Sequence, residues 1–535
     1  MDRRSFLLAG AAGATVAASG AGYWHWQELR PRIDPVGRAL GHFLRDHNTL
    51  PPPSYELTTE VAILGSGVAG LTAAWKLARE GQRKVLMIDG PELHGNAAGG
   101  AFGALRFPTG AHYLPLPSVE STHVREILHD LGILQGDPQA ARPHYDERFI
   151  LHAPEERVLF NGRWQEGILP REGVSAAELD EHARFNTLLE QFKQLRGNDG
   201  RRVFVMPSAL SSSDPHWLRL DRISFRQWLL DHDLHAPTLH WYADYCTRDD
   251  YGAGYDAVSA WAGLHYFCSR GGEAANASPG AWLTWPDGLA SVAAGLDRAS
   301  GVIHHPGAAA SVTLDGDQVR ILCVELVDGK ARTYLVHAHK AICAMPLFVA
   351  ARVVDHLAPI GPSASDALPP NASWLVANFL MKRFPQEQHE APLCWDNVVY
   401  GSDGLGYVVS THQDIRVTPP AQTVFTSYAA LSDRSPQAAR AWLMQASPND
   451  LLTRVSGDLR QAYGPRFAAQ VERVDITIRA HAMATPVPGF RSNRGLDALR
   501  RASGSILFAH ADLSGFSVFE EAAWWGYQAA IKALQ

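Results

Sequence analysis

The sequence lacks several features that would have indicated particular classes of protein. None of its five cysteines stands in a C-x-x-C pair, and no stretch of about 18 uninterrupted apolar residues follows the first 23 positions. No long basic run occurs after position 30, and the formal net charge is −7. We therefore expect no nucleic-acid partner, and a main body that is soluble rather than membrane-spanning.

Cysteine and histidine show no metal-binding pattern. The five cysteines are odd in number, and we interpret all of them as structural, although Cys246 and Cys268 could form a disulfide in an oxidising compartment. The close histidine pairs at 304–305 and 337–339 have no cysteine or carboxylate nearby in a ligand pattern. The sequence therefore predicts no metal site.

The first thirty residues resemble a twin-arginine export signal. Arg3 and Arg4 precede Ser5-Phe6-Leu7, and a Gly/Ala-rich apolar run continues to Tyr23. Such a leader predicts a periplasmic protein that the twin-arginine export machinery moves across the membrane already folded. A retained leader would also give peripheral membrane contact through the N-terminus. The alternative is a chance arginine pair before a short membrane anchor.

One βαβ unit follows a polar, proline-bearing segment at 31–57 that is typical of a linker. An apolar run at 60–65 predicts a strand, the pattern at 68–80 predicts a helix, and the run at 84–89 predicts a second strand. The turn at 65–70 reads G-S-G-V-A-G, a G-x-G-x-x-G motif in the place that a dinucleotide-binding fold requires.

The glycines of this turn have separate roles in binding a pyrophosphate. Gly65 permits the tight turn, Gly67 lets backbone amides approach the phosphates, and Gly70 lets the helix pack closely on the sheet. The N-terminus of the helix adds partial positive charge. Asp89 ends the second strand, where an acid accepts hydrogen bonds from ribose hydroxyls, so FAD or NAD is favoured over NADP. The alternative is a glycine-rich turn in an unrelated α/β protein.

The rest of the chain resembles the flavin-containing amine oxidase and phytoene desaturase superfamily, which carries FAD on this architecture. Residues 95–100 (G-N-A-A-G-G) stand where those families have a glycine-rich loop beside the cofactor, but they depart from its G-G-R form. Residues 110–113 (G-A-H-Y) resemble the segment that runs over the flavin ring in monoamine oxidases. Residues 508–512 (F-A-H-A-D) are similar to F-A-G-x-[DE], with His510 in place of the glycine.

The resemblance assigns further contacts with FAD. Ala309 falls where the family commonly has a valine, in a strand that touches the adenine. Asp512 would accept hydrogen bonds from the ribityl or pyrophosphate part of FAD. The first N–H groups of the last helix would face the flavin C2 carbonyl and stabilise negative charge on the reduced ring. The cofactor-binding residues that the resemblance implies are Gly65, Ser66, Gly67, Ala69, Gly70, Asp89, Gly90, Asn96, Gly110, Ala111, Ala309, Asp512, Glu521 and Ala522.

The resemblance also implies the walls of a substrate pocket. His112 and Tyr113 would lie in front of the flavin, Phe516 or Phe519 would form a second aromatic wall, and His481 would act as a proton acceptor. No cysteine lies near the C-terminal segment, so we expect FAD to be bound non-covalently.

One departure from the family weakens the case for amine oxidation. Many amine oxidases have a lysine, hydrogen-bonded through water to flavin N5, in a strand matched here by residues 374–384. Val376 or Ala377 occupies that place, and Lys382 comes several residues later, where we expect it to face solvent.

These observations predict an α/β fold, with a Rossmann-like FAD-binding domain (GR2-type) and an interleaved mixed α+β substrate domain. The FAD-binding domain would comprise residues 58–140, 281–350 and 481–535, and the substrate domain 141–280 and 351–480. Residues 1–30 would be the export signal and 31–57 the linker.

The predicted reaction is removal of a hydride from a C–H bond of a small organic substrate onto FAD. We consider three classes: an amine or polyamine oxidase, a desaturase or isomerase of a lipid-like polyene, and a non-catalytic flavin-bound protein. The first is favoured, and the electron acceptor is left open. Asp249 and Asp250 could supply negative charge for a cationic substrate, although the expected role of that pair is a solvated loop.

Overall fold

The computed structural model describes residues 29–46, 49–355, 368–387, 391–418, 420–464 and 466–535. The predicted export signal lies outside the described residues except for Leu29 and Arg30. Within the described ranges, no helix is both long and apolar enough to span a bilayer. The same ranges contain no group of three or more His, Cys, Asp or Glu side chains placed to hold a metal ion.

The described chain alternates between strands and helices over most of its length. The strands are β1 (Arg32–Pro35), β2 (Glu56–Leu64), β3 (Val85–Ile88), β4 (Gly99–Phe102), β5 (Leu105–Pro108), β6 (Tyr113–Pro115), β7 (Leu134–Gln135), β8 (His144–Tyr145), β9 (Glu156–Phe160), β10 (Arg163–Glu166), β11 (Trp282–Thr284), β12 (Ile303–His305), β13 (Ala308–Asp315), β14 (Gln318–Val327), β15 (Lys330–Cys343), β16 (Asn371–Met381), β17 (Asp396–Val399), β18 (Tyr407–Val409), β19 (Thr423–Ala430), β20 (Val471–Ala484) and β21 (Ile506–Phe508). The α-helices are α1 (Arg38–Asp46), α2 (Val68–Arg79), α3 (Thr122–Asp130), α4 (Ala176–Lys193), α5 (Pro215–Leu218), α6 (Phe225–Asp231), α7 (Pro237–Tyr251), α8 (Ala260–Cys268), α9 (Ala290–Ser300), α10 (Leu347–Val353), α11 (Pro436–Gln445), α12 (Pro448–Val455), α13 (Gly457–Tyr463), α14 (Arg466–Gln470), α15 (Arg494–Arg501) and α16 (Phe519–Ala533).

The predicted βαβ unit is confirmed as β2, α2 and β3, and it forms the centre of a Rossmann-like sheet. The strand order is β12-β3-β2-β15-β14-β13, and β21 pairs with β15 in parallel. Val61 and Ile63 of β2 pack into one hydrophobic cluster and Ala62 and Leu64 into another, because successive side chains of a strand point to opposite faces. Both faces of this parallel strand are therefore covered, as such strands require.

A second large sheet lies outside the Rossmann-like part of the molecule. Its eight strands run in the order β1-β20-β16-β19-β18-β17-β9-β10. Leu375 and Ala377 of β16 pack into the cluster on one face, while Trp374 and Val376 belong to the cluster on the other. That second face is rich in aromatic side chains and forms one wall of the candidate active site.

The structure corrects the predicted linker at 31–57. Residues Arg32–Pro35 form β1, which pairs in parallel with β20, and α1 follows it directly. Three predicted domain boundaries also fall inside elements, at 57/58 in β2, at 350/351 in α10 and at 480/481 in β20. Composition alone misses β1, because a four-residue edge strand needs too few apolar residues to show a period of two.

All five cysteines are buried and free, so Cys246 and Cys268 form no disulfide. Burial raises the pKa of each of these thiols. They therefore pack as small apolar groups.

Candidate active site

The β2–α2 turn has the shape of a phosphate cradle. Gly65 has a φ of +121°, and a Cβ there would lie 2.9 Å from the carbonyl oxygen of Ala344. A Cβ on Gly70 would lie 1.9 Å from the oxygen of Gly65, whereas one on Gly67 would meet no atom within 4 Å. Helix α2 begins at Gly67 without a side-chain cap. The turn therefore presents open space in front of an uncapped helix N-terminus.

Two other predicted residues of this turn face the protein instead of the cradle. Ser66 is buried, and its Oγ donates to the backbone oxygen of Asp89 at 2.7 Å. Ala69 is buried against α16, where a Cβ on Gly526 would lie 2.1 Å from the Ala69 oxygen. Ser66 and Ala69 thus hold the turn in place without facing the space before it.

Asp89 ends β3 beside the cradle, as predicted, but its carboxylate is shared with a histidine. Its Oδ1 lies 2.5 Å from Nδ1 of His304, and the His304 Nε2 lies 2.8 Å from Asp297 Oδ1. Next to Asp89, Gly90 has a φ of +80° and donates its N–H to the oxygen of Gly307 at 2.8 Å. The chain turns sharply here, and the acid stays at the carboxyl edge of the sheet.

The loop that lacks the family arginine is held by an arginine from elsewhere in the chain. Arg479 of β20 is buried, and its guanidinium donates to both carboxylate oxygens of Glu92, at 2.7 and 3.0 Å. It also donates to Asn96 Oδ1 at 3.1 Å and to the Thr109 oxygen at 2.8 Å. The Asn96 amide in turn donates to the oxygen of Ala482. Arg479 therefore ties the segment at 92–109 to the eight-stranded sheet, a contact that no motif indicated.

Residues 110 and 111 form a close crossing over this loop. The Ala111 N–H donates to the oxygen of Asn96 at 2.8 Å, and a Cβ on Gly110 would lie 2.2 Å from that same oxygen. The methyl group of Ala111 stays exposed. Only glycine fits at 110, which explains the residue type in the predicted segment.

Asp512 is almost fully buried and accepts a hydrogen bond from the backbone of α10. Its Oδ2 accepts the Leu347 N–H at 3.0 Å, and its Oδ1 lies 3.3 Å from Nδ1 of His510. Burial tends to raise the pKa of Asp512, but His510 and the Leu347 N–H bring it below the ordinary value. His510, which replaces the family glycine, also accepts the backbone N–H of Asp512 at its Nδ1, at 3.1 Å.

The predicted contacts at the start of α16 need correction. The Ala522 N–H donates to the Val518 oxygen at 3.1 Å, so it is used within the helix. The Glu521 side chain is fully buried and accepts hydrogen bonds from the Ser208 N–H at 2.6 Å and from the Ser514 hydroxyl. Glu521 therefore joins α16 to a distant loop and is not directed toward a ligand space.

Three further predicted residues lie in hydrophobic cores. Ala309 is buried in the cluster on one face of the Rossmann-like sheet and pairs with Cys323 across β13 and β14. Phe519 is buried in the cluster on the other face. Phe516 packs edge-on against Tyr251 in the cluster around α8. Neither belongs to the cluster around His112, and the role of Phe516 or Phe519 as a pocket wall stays a prediction.

The aromatic side chains that do surround His112 come from distant parts of the chain. The His112 ring stacks on Tyr428 with a centroid distance of 4.4 Å, and Trp395 lies 5.4 Å away. Tyr113 meets the rings of His112 and Trp282 edge-on, at 4.9 and 4.8 Å. The Tyr428 hydroxyl donates to the Gly110 oxygen at 3.1 Å, which fixes this group against the crossing.

His112 and Tyr113 lie deep inside the protein, and the surface that they leave accessible indicates a cavity beside them. Both keep some accessible surface, yet burial is the largest influence on their pKa values. Burial lowers the pKa of His112 to about 3, so its imidazole is neutral at physiological pH. Burial, together with the charge of Asp249, raises the pKa of Tyr113.

Buried carboxylates line the same region. The Tyr113 hydroxyl donates to Asp249 Oδ2 at 3.3 Å, and burial followed by the charge of Asp250 raises the pKa of Asp249 to about 7. Asp396 and Glu156 are register partners on β17 and β9. Burial raises the pKa of Glu156 to about 7, and burial with the charge of Asp249 raises that of Asp396 well above its ordinary value.

The prediction that Asp249 and Asp250 form a solvated loop is wrong. Both lie on α7, where Asp250 is buried and paired with the guanidinium of Arg270. That guanidinium lies over the Tyr266 ring at 4.0 Å. Arg270 and Arg248 partly offset the burial of Asp249, whereas burial and other carboxylates raise the pKa values of Asp396 and Glu156, so this wall has an excess of acidic groups.

The strand that carries the N5 lysine in many amine oxidases has an apolar residue here, as predicted. Val376 lies opposite Tyr428 on β16 and β19, on the aromatic face of the sheet. Lys382 is exposed, and its Nζ donates to the Ala469 oxygen at 3.3 Å.

His481 lies on β20 and contacts the Rossmann-like part of the molecule. Its ring stacks on Phe348 of α10, with a centroid distance of 4.3 Å. Burial lowers its pKa to about 4, so the ring is neutral. Its role as a proton acceptor stays a prediction.

These residues fit FAD in most of the places where the resemblance puts it. The uncapped turn at Gly67 leaves space for a pyrophosphate, and Asp89 stands at the end of β3, where a ribose would lie. The crossing at Gly110 and Ala111 leads straight to the cavity of His112.

Comparison with known proteins agrees with this architecture. The NAD(P)-binding Rossmann-like domain family matches residues 63–131. No curated protein is similar enough in sequence to match the chain. The structure of putrescine oxidase bound to putrescine superposes with a TM-score of 0.64 at 16% identity, over 90% of this chain and 99% of that one. The chain has the amine oxidase fold.

Two other solved structures share it. Cyclohexylamine oxidase from Brevibacterium oxydans superposes with a TM-score of 0.61 at 17% identity, over 89% of this chain and 98% of that one. A fatty acid isomerase from P. acnes that produces CLA superposes with a TM-score of 0.57 at 15% identity, over 88% and 97%. The amine oxidase fold is thus used by both oxidases and an isomerase, so function has to be argued from the site.

Proposed function

We propose that this protein is an oxidoreductase that binds FAD non-covalently and removes a hydride from the carbon beside the nitrogen of an amine or polyamine. The observation that carries the proposal is the acidic, aromatic cavity next to the crossing at Gly110 and Ala111. Asp249, Asp396 and Glu156 all have raised pKa values, because burial leaves them without enough counter-charge. A substrate ammonium would supply that charge.

The aromatic residues support the same substrate class. Ring faces attract cations. The centroid of the Tyr113 ring lies 4.8 Å from that of Trp282 and 6.2 Å from that of Trp395. A lipid-like polyene would instead need a long apolar tunnel, in which buried carboxylates would be unfavourable. The geometry therefore favours the amine over the polyene.

FAD, when bound, would accept the hydride. The chain itself has to orient the substrate carbon, exclude water and take the ammonium proton before the hydride leaves. Asp249 is suited to the last task, because its pKa of about 7 matches that of a general base at neutral pH. His112 is unsuited to it, because its pKa of about 3 makes it a weak base.

Anaerobic titration of the FAD-loaded protein tests this proposal. We expect putrescine or a longer polyamine to bleach the flavin absorbance near 450 nm (roughly the flavin maximum). Alcohols whose carbon chains match the amines in length, and which lack an ammonium group, serve as controls and should leave the spectrum unchanged. Bleaching only by a polyunsaturated fatty acid would overturn the amine assignment in favour of the polyene alternative. No bleaching by any compound would favour a non-catalytic flavin-bound protein.

We also propose that the protein is exported to the periplasm by the twin-arginine machinery, with the leader as an N-terminal membrane contact if it is retained. The support is the Arg3-Arg4 pair before a weakly apolar run. Replacing both residues by lysine keeps the charge and should leave the protein in the cytoplasmic fraction. Periplasmic recovery of the double variant at wild-type levels would contradict the proposal.

A further inference from the structure

His304 connects two carboxylates beside the glycine turn, where the Ser66 N–H donates to the oxygen of Asp89 at 3.1 Å. It lies on β12, which pairs in parallel with β3. Its two ring nitrogens lie 2.5 Å from Asp89 Oδ1 and 2.8 Å from Asp297 Oδ1. Asp297 comes from α9, so three separate elements meet at one imidazole.

Both hydrogen bonds require the protonated ring. An ionised carboxylate can only accept a hydrogen bond, so each ring nitrogen of His304 has to donate. Burial disfavours the charged ring, but the hydrogen bonds to Asp89 and Asp297 raise the pKa of His304 above its ordinary value. The other titratable group facing this cluster is His94, whose Nε2 lies 3.7 Å from Asp297 Oδ2.

We propose that protonated His304 is a positioning residue for FAD, which holds the Asp89 carboxylate so that its second oxygen meets the ribose hydroxyls. This inference rests on the proposed binding of FAD. Within the described part of the chain, Oδ2 of Asp89 has no hydrogen-bond partner, so it is the oxygen left for a ligand.

The arrangement makes affinity for FAD depend on pH. A neutral imidazole has one N–H, so one of the two carboxylates would lose its donor and face a lone pair. Asp89 would then be free to rotate, and a ligand would have to order it again. Affinity for FAD is therefore highest while His304 is protonated and falls as the pH rises through the raised pKa. The loss of one charge-assisted hydrogen bond corresponds to a weakening on the order of tenfold.

The test measures the dissociation constant of FAD for the apoprotein by quenching of FAD fluorescence, between about pH 6 and pH 9.5 around the histidine pKa range. Wild-type affinity should fall on the order of tenfold across this range. His304→Gln can donate only through its amide, so its affinity should be low and nearly independent of pH. His305→Gln is the matched control: its ring contacts Tyr55, with Nε2 3.3 Å from the hydroxyl, and it should follow the wild type.

Asp297→Asn gives a second readout that a purely structural role of His304 would not produce. Removing this carboxylate should lower the pKa of His304, so the fall in affinity should begin at a lower pH. Melting temperatures of the apoproteins identify any variant that fails to fold. Wild-type affinity and pH dependence in His304→Gln would overturn the inference and leave the proposed function standing. If the wild type and His305→Gln took up no FAD at any pH, both would be wrong.

Discussion

Val376 and Tyr428 lie directly opposite each other on β16 and β19, at the wall of the cavity that contains His112. The sequence predicts Val376 or Ala377 in the place of a lysine found in many amine oxidases, and both are buried. Burial, followed by the charges of Asp249 and Asp396, raises the pKa of Tyr428, so this part of the wall is within electrostatic reach of the acidic groups. The cavity therefore has an apolar residue where related enzymes have a cation.

A lysine at this position should weaken amine binding. In Val376→Lys, the ammonium group would neutralise part of the acidic wall, and affinity for a diamine should fall at least tenfold, or about 1.4 kcal/mol. Val376→Met, which is neutral and of similar length, should bind the diamine almost as well as the wild type. The measurement is the change in flavin absorbance on titration with amine. Equal affinity in both variants would contradict the prediction.

Asp249 should make amine binding depend on pH. Its folded-state pKa of about 7 means that the carboxylate forms as the pH rises through neutrality, so affinity for a cationic amine should increase between about pH 6 and 8. Asp249→Asn should bind at least tenfold more weakly at pH 8 and lack this increase. An unchanged pH profile in Asp249→Asn would exclude Asp249 as the group that binds the ammonium.

The same shift predicts an effect on stability of the opposite sign. A carboxyl whose pKa is higher in the folded than in the unfolded state destabilises the fold as the pH rises from about 4 to 7. Asp249→Asn should therefore be more stable than the wild type at pH 8, by at most about 4 kcal/mol, because Asp249 keeps some solvent access. Urea denaturation at pH 5 and pH 8 measures the difference, which should be small at pH 5.

Two glycines of the turn should separate cofactor binding from folding. Gly67→Ala adds a methyl group that meets no protein atom, so the apoprotein should lose less than about 0.5 kcal/mol while affinity for FAD falls at least tenfold. Gly70→Ala places a Cβ 1.9 Å from the Gly65 oxygen, so the apoprotein itself should lose about 1–3 kcal/mol. Wild-type affinity for FAD in Gly67→Ala would show that the phosphates do not lie in this turn.

Arg479 should matter more for stability than for chemistry. Arg479→Met leaves Glu92 partly buried without its cation and removes the donors to Asn96 and Thr109, at a cost of about 3 kcal/mol. Thermal denaturation of the apoprotein measures this loss. Arg473→Met, which removes an exposed ion pair with Asp475, is the matched control and should cost less than about 1 kcal/mol.

The sequence predicted the cofactor half of the molecule well, because that half depends on local patterns. The βαβ unit and the last helix both appear where the pattern of apolar residues and the turn residues placed them. Asp89 and the glycine turn lie together for the same reason. These features need no knowledge of distant contacts.

The substrate half could not be predicted in the same way. Asp249, Trp282, Trp395 and Tyr428 come from four separate elements, and only the pairing of distant strands brings them to one cavity. Phe516 and Phe519 come shortly after the family motif at 508–512, yet both pack into hydrophobic cores. Contacts such as the one between Ser514 and Glu521 fix the position of the loop before α16. Spacing along the chain does not encode such contacts.

The pairing of β1 with β20 and of β21 with β15 has a consequence for synthesis of the chain. Each sheet receives a strand from the last quarter of the polypeptide, so one cannot be completed on the ribosome until Ala484 has left the exit tunnel, and the other until Phe508 has left it. The earlier strands must wait with unpaired edges, which makes the nascent chain a natural client for chaperones. Deletion of the final segment would therefore leave both halves of the molecule unfinished.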